Sequence, residues 1–243
     1  MRILTNQQIQ KFNDDGFLVV RNLISKQEIE FYNNLYNSFL NNSIDASNYR
    51  SDLSGDNDSS FEKITQIMVP SKVFPDLLRK PIHIKTLQVA KELLGDDLDM
   101  DFDMMINKAP NSNTPTPWHQ DTAYWIDLPD KRAVSCWVAI DTVFKENGCM
   151  WYTPKSHKNE TLPHVQTGEK GALKCDGSEE KSICVPLKPG SCVFHHGNTL
   201  HYSRGNSTNY QRRALITNFR PKTMIDLERK KGYDHTGTRN LKA

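Results

Sequence analysis

His119, Gln120 and Asp121 stand in the run N-T-P-T-P-W-H-Q-D-T-A-Y-W, and His201 follows much later in H-Y-S-R-G-N-S-T-N-Y-Q-R-R. A histidine and a carboxylate two apart on a strand point to the same face. A distant second histidine then completes two imidazoles and one carboxylate. That is the facial set that holds non-haem iron(II) and leaves coordination positions open, an arrangement that activates oxygen. The H-x-D spacing alone is common by chance. Here its flanks are aromatic (Trp118, Tyr124, Trp125), which suits a cavity wall better than a surface loop. His201 is expected from a strand across the mouth of a barrel. His195 and His196 are alternatives to it as the third ligand.

Oxygen activation for a two-electron oxidation needs two further electrons, which a 2-oxo acid supplies by oxidative decarboxylation. Its distal carboxylate needs a cation, and arginine grips a carboxylate through two parallel hydrogen bonds. Arg212 lies in the same run as His201, with Arg213 as a close competitor, since only one of two neighbours on a strand can face a cavity. Ser203 offers a hydroxyl to the same carboxylate. His83, His157, His164 and His235 have no evident partners and are expected to be structural or exposed.

These residues must be held by a scaffold. Thr5 reads as a cap for a helix over 6–14, which Gly16 ends, and Phe17-Leu18-Val19-Val20 as a short strand. Ser25 with Glu28 makes a capping-box signal. Ile29, Tyr32, Leu35, Tyr36 and Phe39 follow at helical spacing to about Leu40. Residues 41–60 are rich in Asn, Ser and Asp and read as a long polar loop, more an insertion than a flap. A third helix is predicted over 82–94, stopped by Gly95. Leu98, Met100, Phe102, Met104 and Ile106 then alternate as in a strand. Further strands are predicted over 133–140, 149–153, 182–187, 191–195 and 214–219, with a turn at Lys188-Pro189-Gly190. Short strands with long polar connections point to a double-sheet jelly roll with the N-terminal helices over one sheet.

Composition narrows the partners. Lys plus Arg is 31 and Asp plus Glu is 29 in 243 residues, too even a balance for a nucleic-acid footprint. No apolar run approaches the roughly 18 residues of a membrane span. The N-terminus shows no apolar stretch of a secretory signal. The five cysteines are odd in number and hold no C-x-x-C pair, so neither a disulfide framework nor structural zinc is expected. They suit a reducing cytoplasm, the expected location.

The motifs together resemble the phytanoyl-CoA dioxygenase family of iron(II)- and 2-oxoglutarate-dependent oxygenases. The likeness covers about 107–221. It rests on P-W-H-Q-D, V-S-C-W-V-A-I-D (134–141), E-N-G-C-M (146–150), P-K-S-H-K (154–158), K-P-G-S-C-V-F-H (188–195) and H-Y-S-R-G-N-S with R-R-A-L. D-G-F-L-V-V at 15–20 is similar to the family's opening strand. The resemblance implies a double-stranded β-helix core with flanking helices. It implies iron(II) on His119, Asp121 and His201, selects Arg212 over Arg213 for 2-oxoglutarate, and matches Ser203 to a supporting hydroxyl. Trp137 matches an aromatic residue near the cosubstrate. Asn107 or Lys108 matches a polar contact from the strand before the first ligand. Related halogenases carry Ala or Gly in place of Asp121, so hydroxylation is favoured, with desaturation, ring closure and epoxidation open. Lys155 replaces the family's usual loop glycine. Tyr202 and Arg204 replace small residues and are expected to narrow the entrance or meet a polar substrate.

The expected whole is one oxygenase domain over 1–243. It has helical support over 1–95, a β-helix core over 96–221 and a C-terminal tail over 222–243. The expected reaction uses iron(II), 2-oxoglutarate and O2 on a small metabolite or natural-product intermediate. No nucleic acid or membrane takes part, and the protein is a monomer or homodimer. Tyr124, Trp125, Trp151 and Tyr152 are candidates for the substrate wall, with at least two of them expected in the core. The rival readings are a metal protein that does not use 2-oxoglutarate, and a non-catalytic jelly-roll binding protein.

Overall fold

The computed structural model describes residues 2–55, 61–167 and 172–235. The chain opens with α1 (Asn6–Asp15), β1 (Phe17–Val20) and α2 (Lys26–Leu40). Then come β2 (Arg50–Asp52), β3 (Ile64–Met68), α3 (Pro70–Val73), α4 (Pro81–Leu94) and β4 (Leu98–Lys108). The short strands β5 (Thr116–His119), β6 (Val134–Ala139), β7 (Met150–Tyr152), β8 (Val165–Gln166) and β9 (Leu173–Lys174) follow. The last elements are β10 (Ile183–Val185), β11 (Cys192–His196), β12 (His201–Ser203), β13 (Arg212–Pro221) and α5 (Lys222–Lys230).

Two antiparallel sheets face each other. The large one runs β1-β11-β6-β13-β4-β3-β2 and the small one β10-β7-β12-β5. This is the expected jelly roll, mainly β with flanking helices. Three strands of the large sheet come from before residue 95, so the N-terminal stretch builds the core sheet as well as covering it. The polar 41–60 segment is not all loop: 50–52 pair with β3 at the sheet edge, and 56–60 lie outside the described residues. The expected tail begins as α5, and 236–243 lie outside the described residues. Among the described residues no helix is long and apolar enough to cross a membrane.

Strand alternation sorts the large sheet's side chains into two layers. Leu18, Cys136, Val138, Phe194 and Leu215 turn outward onto the helices, against Phe12, Tyr32, Tyr36, Ile82 and Val89. Phe17, Trp137, Val193, Ala214 and Ile216 turn inward toward Met150, Tyr152 and Val185 of the small sheet. Both helix starts carry full capping boxes, Thr5 with Gln8 and Ser25 with Glu28. The start of α4 lacks a cap of its own. There the Tyr32 hydroxyl accepts the Ile82 amide at 2.8 Å, satisfying one of the amides a helix start leaves open. Tyr36 in turn donates to the Ala214 carbonyl at 2.7 Å, fastening α2 to β13. Gly16 ends α1 at φ 82, and a Cβ there would meet His157 Nδ1 at 2.3 Å, so only glycine serves. Lys155, by contrast, stands at φ 65, where the glycine usual in that loop would sit without strain.

Candidate metal centre

β5 and β12 are neighbours in the small sheet, and His119 is paired directly with His201. The expectation of a ligand reaching across the barrel mouth is therefore corrected. The two rings are cross-strand neighbours with centroids 4.2 Å apart. Asp121 does not lie on the strand either. β5 ends at His119, and Asp121 opens a 3-10 turn over Asp121–Tyr124. Its side chain still turns to the histidines. Oδ1 lies 3.8 Å from His119 Nε2 and 3.7 Å from His201 Nε2.

The backbone sets the tautomers. His119 Nδ1 is 2.8 Å from the Pro117 carbonyl, and His201 Nδ1 is 2.8 Å from the Thr199 carbonyl. A carbonyl only accepts, so each Nδ1 carries the hydrogen and each neutral ring presents an Nε2 lone pair. Burial holds both imidazoles below their ordinary range, which keeps them neutral. Burial would raise the Asp121 carboxyl. The hydrogen bond from His195 and the electrostatic pull of the nearby His201, His195 and His119 rings outweigh it and hold Asp121 well below the usual carboxylate range. His119, Asp121 and His201 thus bring three ligand atoms within 4.8 Å of one another. Two neutral nitrogens and one anionic oxygen suit a divalent transition metal.

Arg212 enters the same cavity from the first position of β13. It is 1% exposed, and its guanidinium lies 5.3 Å from the Trp137 ring centroid. Neither Nε nor Nη1 has a hydrogen-bond partner, and the buried Ser203 Oγ has none. Burial pushes Arg212 down to about 10, so it remains a cation at neutral pH. An unpaired buried guanidinium beside an unpaired hydroxyl fits an anionic ligand. Arg213 turns the other way and is occupied by Asp141, Asn33 and Asn37.

Two expected contacts are corrected. Asn107 pairs with Arg213 and shares its outward face, so strand alternation turns it from the cavity. Lys108 faces inward beside Arg212, but its Nζ donates to the carbonyls of Thr114 (3.0 Å), Ser203 (3.4 Å) and Arg204 (2.6 Å). That ammonium is spent on backbone, and burial with Arg212 nearby pushes its pKa well down. Tyr202 and Arg204 are not among the residues that line the cavity. Tyr202 stacks on Trp118 with centroids 4.3 Å apart, Arg204 lies over Trp151, and both bond Glu179. Trp151 belongs to that group and Tyr152 to the inter-sheet core, while Tyr124 and Trp125 line the cavity.

His195 is one of the sequence's alternatives for the third ligand. It points into the cavity from β11, and its Nε2 lies 3.1 Å from Asp121 Oδ2. Ser135 Oγ donates to the same oxygen at 2.7 Å, a partner the motifs gave no sign of. His196 turns to the other side. The remaining histidines are structural: His83 meets buried Asp103 at 3.0 Å, and His164 accepts the Gln120 amide. The cavity takes in about 860 Å³, counted out to its open mouth. Beyond the ligand set its wall is largely apolar, with Leu53, Phe102, Met104, Ile106, Met150 and Ile216, and its polar members include Gln66 and Thr116.

A family model described as Phytanoyl-CoA dioxygenase (PhyH) matches residues 12–214. The chain belongs to the phytanoyl-CoA dioxygenase family. Members of this family and its structural neighbours are iron- and 2-oxoglutarate-dependent oxygenases. The chain is 23% identical to phytanoyl-CoA dioxygenase domain-containing protein 1 of Danio rerio, over 87% of this chain and 88% of that protein. It is 25% identical to peroxisomal phytanoyl-CoA dioxygenase of Homo sapiens, over 89% of this chain and 68% of that protein. Among solved structures, EvdO2 from Micromonospora carbonacea var. aurantiaca matches with a TM-score of 0.77 and 28% identity, covering 90% of this chain and 93% of that one. EvdO2 complexed with 2-oxoglutarate matches with a TM-score of 0.76.

Proposed function

We propose that this phytanoyl-CoA dioxygenase family member is a dioxygenase that hydroxylates a C–H bond of a small, neutral, largely apolar molecule. The observation that carries this reading is the pairing of two features in one cavity. Three ligand atoms converge from His119, Asp121 and His201, and an unpaired guanidinium waits at Arg212. Iron(II) bound at the first would supply oxygen activation, with 2-oxoglutarate and O2 giving succinate and CO2 and the second oxygen atom going to the substrate. His119 and His201 would offer Nε2 lone pairs, and Asp121 would offer one oxygen. Arg212, steadied by the Trp137 ring, would hold the distal carboxylate of 2-oxoglutarate with help from the Ser203 hydroxyl. Phe102, Met104, Ile106 and Ile216 would exclude water and present the substrate. Among the described lining residues Arg212 is the one lysine or arginine and is buried, and the lining His235 is held by Asp101 and Glu228. That wall is a poor match for the phosphates of an acyl-coenzyme A.

Anaerobic titration with iron(II) and then 2-oxoglutarate tests the reading through a weak visible charge-transfer band. Parent protein is expected to develop the band. Arg212→Met is expected to need about 100-fold more 2-oxoglutarate, the loss of about 3 kcal/mol when one partner of a buried charged pair is removed. A well-folded parent without a band would overturn the assignment. An unchanged 2-oxoglutarate requirement in Arg212→Met would move the anchor elsewhere.

A further inference from the structure

The two oxygens of Asp121 face different sheets. Oδ1 looks to the histidines of the small sheet, and Oδ2 looks to the large sheet. A six-coordinate iron with two imidazoles has little to spare. Were iron held here with 2-oxoglutarate and O2, the cosubstrates would need the open positions, and Asp121 could give only one oxygen. A carboxylate free to chelate with both would close the position that O2 needs. We infer that His195 and Ser135 act as positioning residues that hold Oδ2 away from the metal and keep Asp121 bound through Oδ1 alone. This rests on the iron and 2-oxoglutarate reading above.

The geometry of the donors carries the inference. His195 and Ser135 are directly paired residues on β11 and β6, so they point inward side by side. Both meet the same oxygen, at 3.1 and 2.7 Å. The Asn218 amide donates to Ser135 Oγ at 2.8 Å, which occupies a lone pair and leaves the hydroxyl hydrogen for Asp121. A carboxylate only accepts, so His195 Nε2 carries a hydrogen. That nitrogen is then no ligand, which separates His195 from His119 and His201, whose hydrogens lie on Nδ1. The His195 ring is itself fixed between Tyr152 and His201, with centroids 5.3 and 4.4 Å away, and is 3% exposed. Asp121 sits in a turn rather than on a strand, so its own backbone does less to aim it. The donors on the large sheet do that instead.

The test uses full-length apo-protein and measures iron(II) affinity by anaerobic competition with a chelating dye, followed by 2-oxoglutarate titration of the visible band. Ser135→Ala and His195→Phe are each expected to weaken iron binding about 10-fold, and the double variant up to about 100-fold. At saturating iron the double variant is also expected to need more 2-oxoglutarate, because a swinging carboxylate competes for its positions. His195→Gln, whose amide can donate, is expected to recover most of the loss. A simple packing role would show no such rescue. Parent-like affinity and band in the double variant would overturn the inference and leave the proposed function standing. Failure of His195→Gln to recover beside a weakened His195→Phe would also overturn it, in favour of direct ligation by His195. Parent protein that binds no iron would end the underlying reading first. Should His195→Phe not fold, Ser135→Ala decides alone: undiminished iron affinity there overturns the inference.

Discussion

Among the described residues two groups of histidine and carboxylate bring their ligand atoms within 4.8 Å of one another, and they differ in what surrounds them. His119, Asp121 and His201 face Ser135, His195 and a cavity whose wall His235 also joins. Asp101, Glu228 and His235 face two arginines. Arg220 Nε donates to Asp101 Oδ2 at 2.7 Å and its Nη2 bonds Glu228, while Arg229 bonds Asp101. His235 Nε2 lies 3.3 Å from Asp101 and 3.4 Å from Glu228. Burial would raise Asp101, but His235, Arg220 and Arg229 bring it down to about 2. The lesson is that residue type and proximity do not make a metal site. What matters is whether lone pairs are left over. The second group has spent them on guanidiniums and serves to fasten α5 onto β4 and β13.

The contrast can be broken most decisively with iron. His119→Ala is expected to abolish the iron(II)–2-oxoglutarate band, and His235→Ala to leave it at parent intensity. Loss of the band in His235→Ala alone would reverse the roles of the two groups. A smaller effect is expected from Arg220→Met, which leaves two buried carboxylates short of a cation. Unfolding free energy should fall by about 3 kcal/mol, read from the denaturant midpoint at constant slope, with iron affinity unchanged. A loss well under 1 kcal/mol would mean that the group is solvated rather than interlocked.

The smallest effect concerns pH. Burial would lower His235, but Asp101 and Glu228 raise it above 6.5, so its contribution is complete below 6.5 and fades as pH rises through the raised value. Asp101 and Glu228 are both lowered, so theirs is complete above the ordinary values of 3.8 and 4.5 and fades as pH falls. Amide exchange in α5 should therefore be slowest between pH 4.5 and 6.5 after correction for intrinsic rates. Protection that keeps increasing above pH 7 would contradict the assignment of charges.

Much of this was legible in the chain. The capping residues, the alternation of 98–106 and the ordered motifs around His119 and His201 carry local information, and local physics placed them. β3 escaped notice because Ile64 to Met68 is buried at every position, and a strand covered on both faces shows no period of two. β2 hid in a polar segment because its place comes from pairing with β3. Choosing between Arg212 and Arg213 required knowing where β13 begins. The partners of Asp121 were out of reach for a related reason: Ser135 and His195 meet only through the pairing of β6 with β11, which no nearby residue announces.

The cavity also divides much of its labour by strand, with Ile216 on β13 the exception that sits beside the chemistry. Leu53, Gln66, Phe102, Met104 and Ile106 lie on β3, β4 and the turn after β2, whereas the proposed iron and 2-oxoglutarate contacts lie on β5, β12, β13 and one turn. A lineage can therefore trade one substrate for another by drifting along β3 and β4 while the oxidising chemistry stays untouched. An engineer seeking new selectivity would randomise those five positions first.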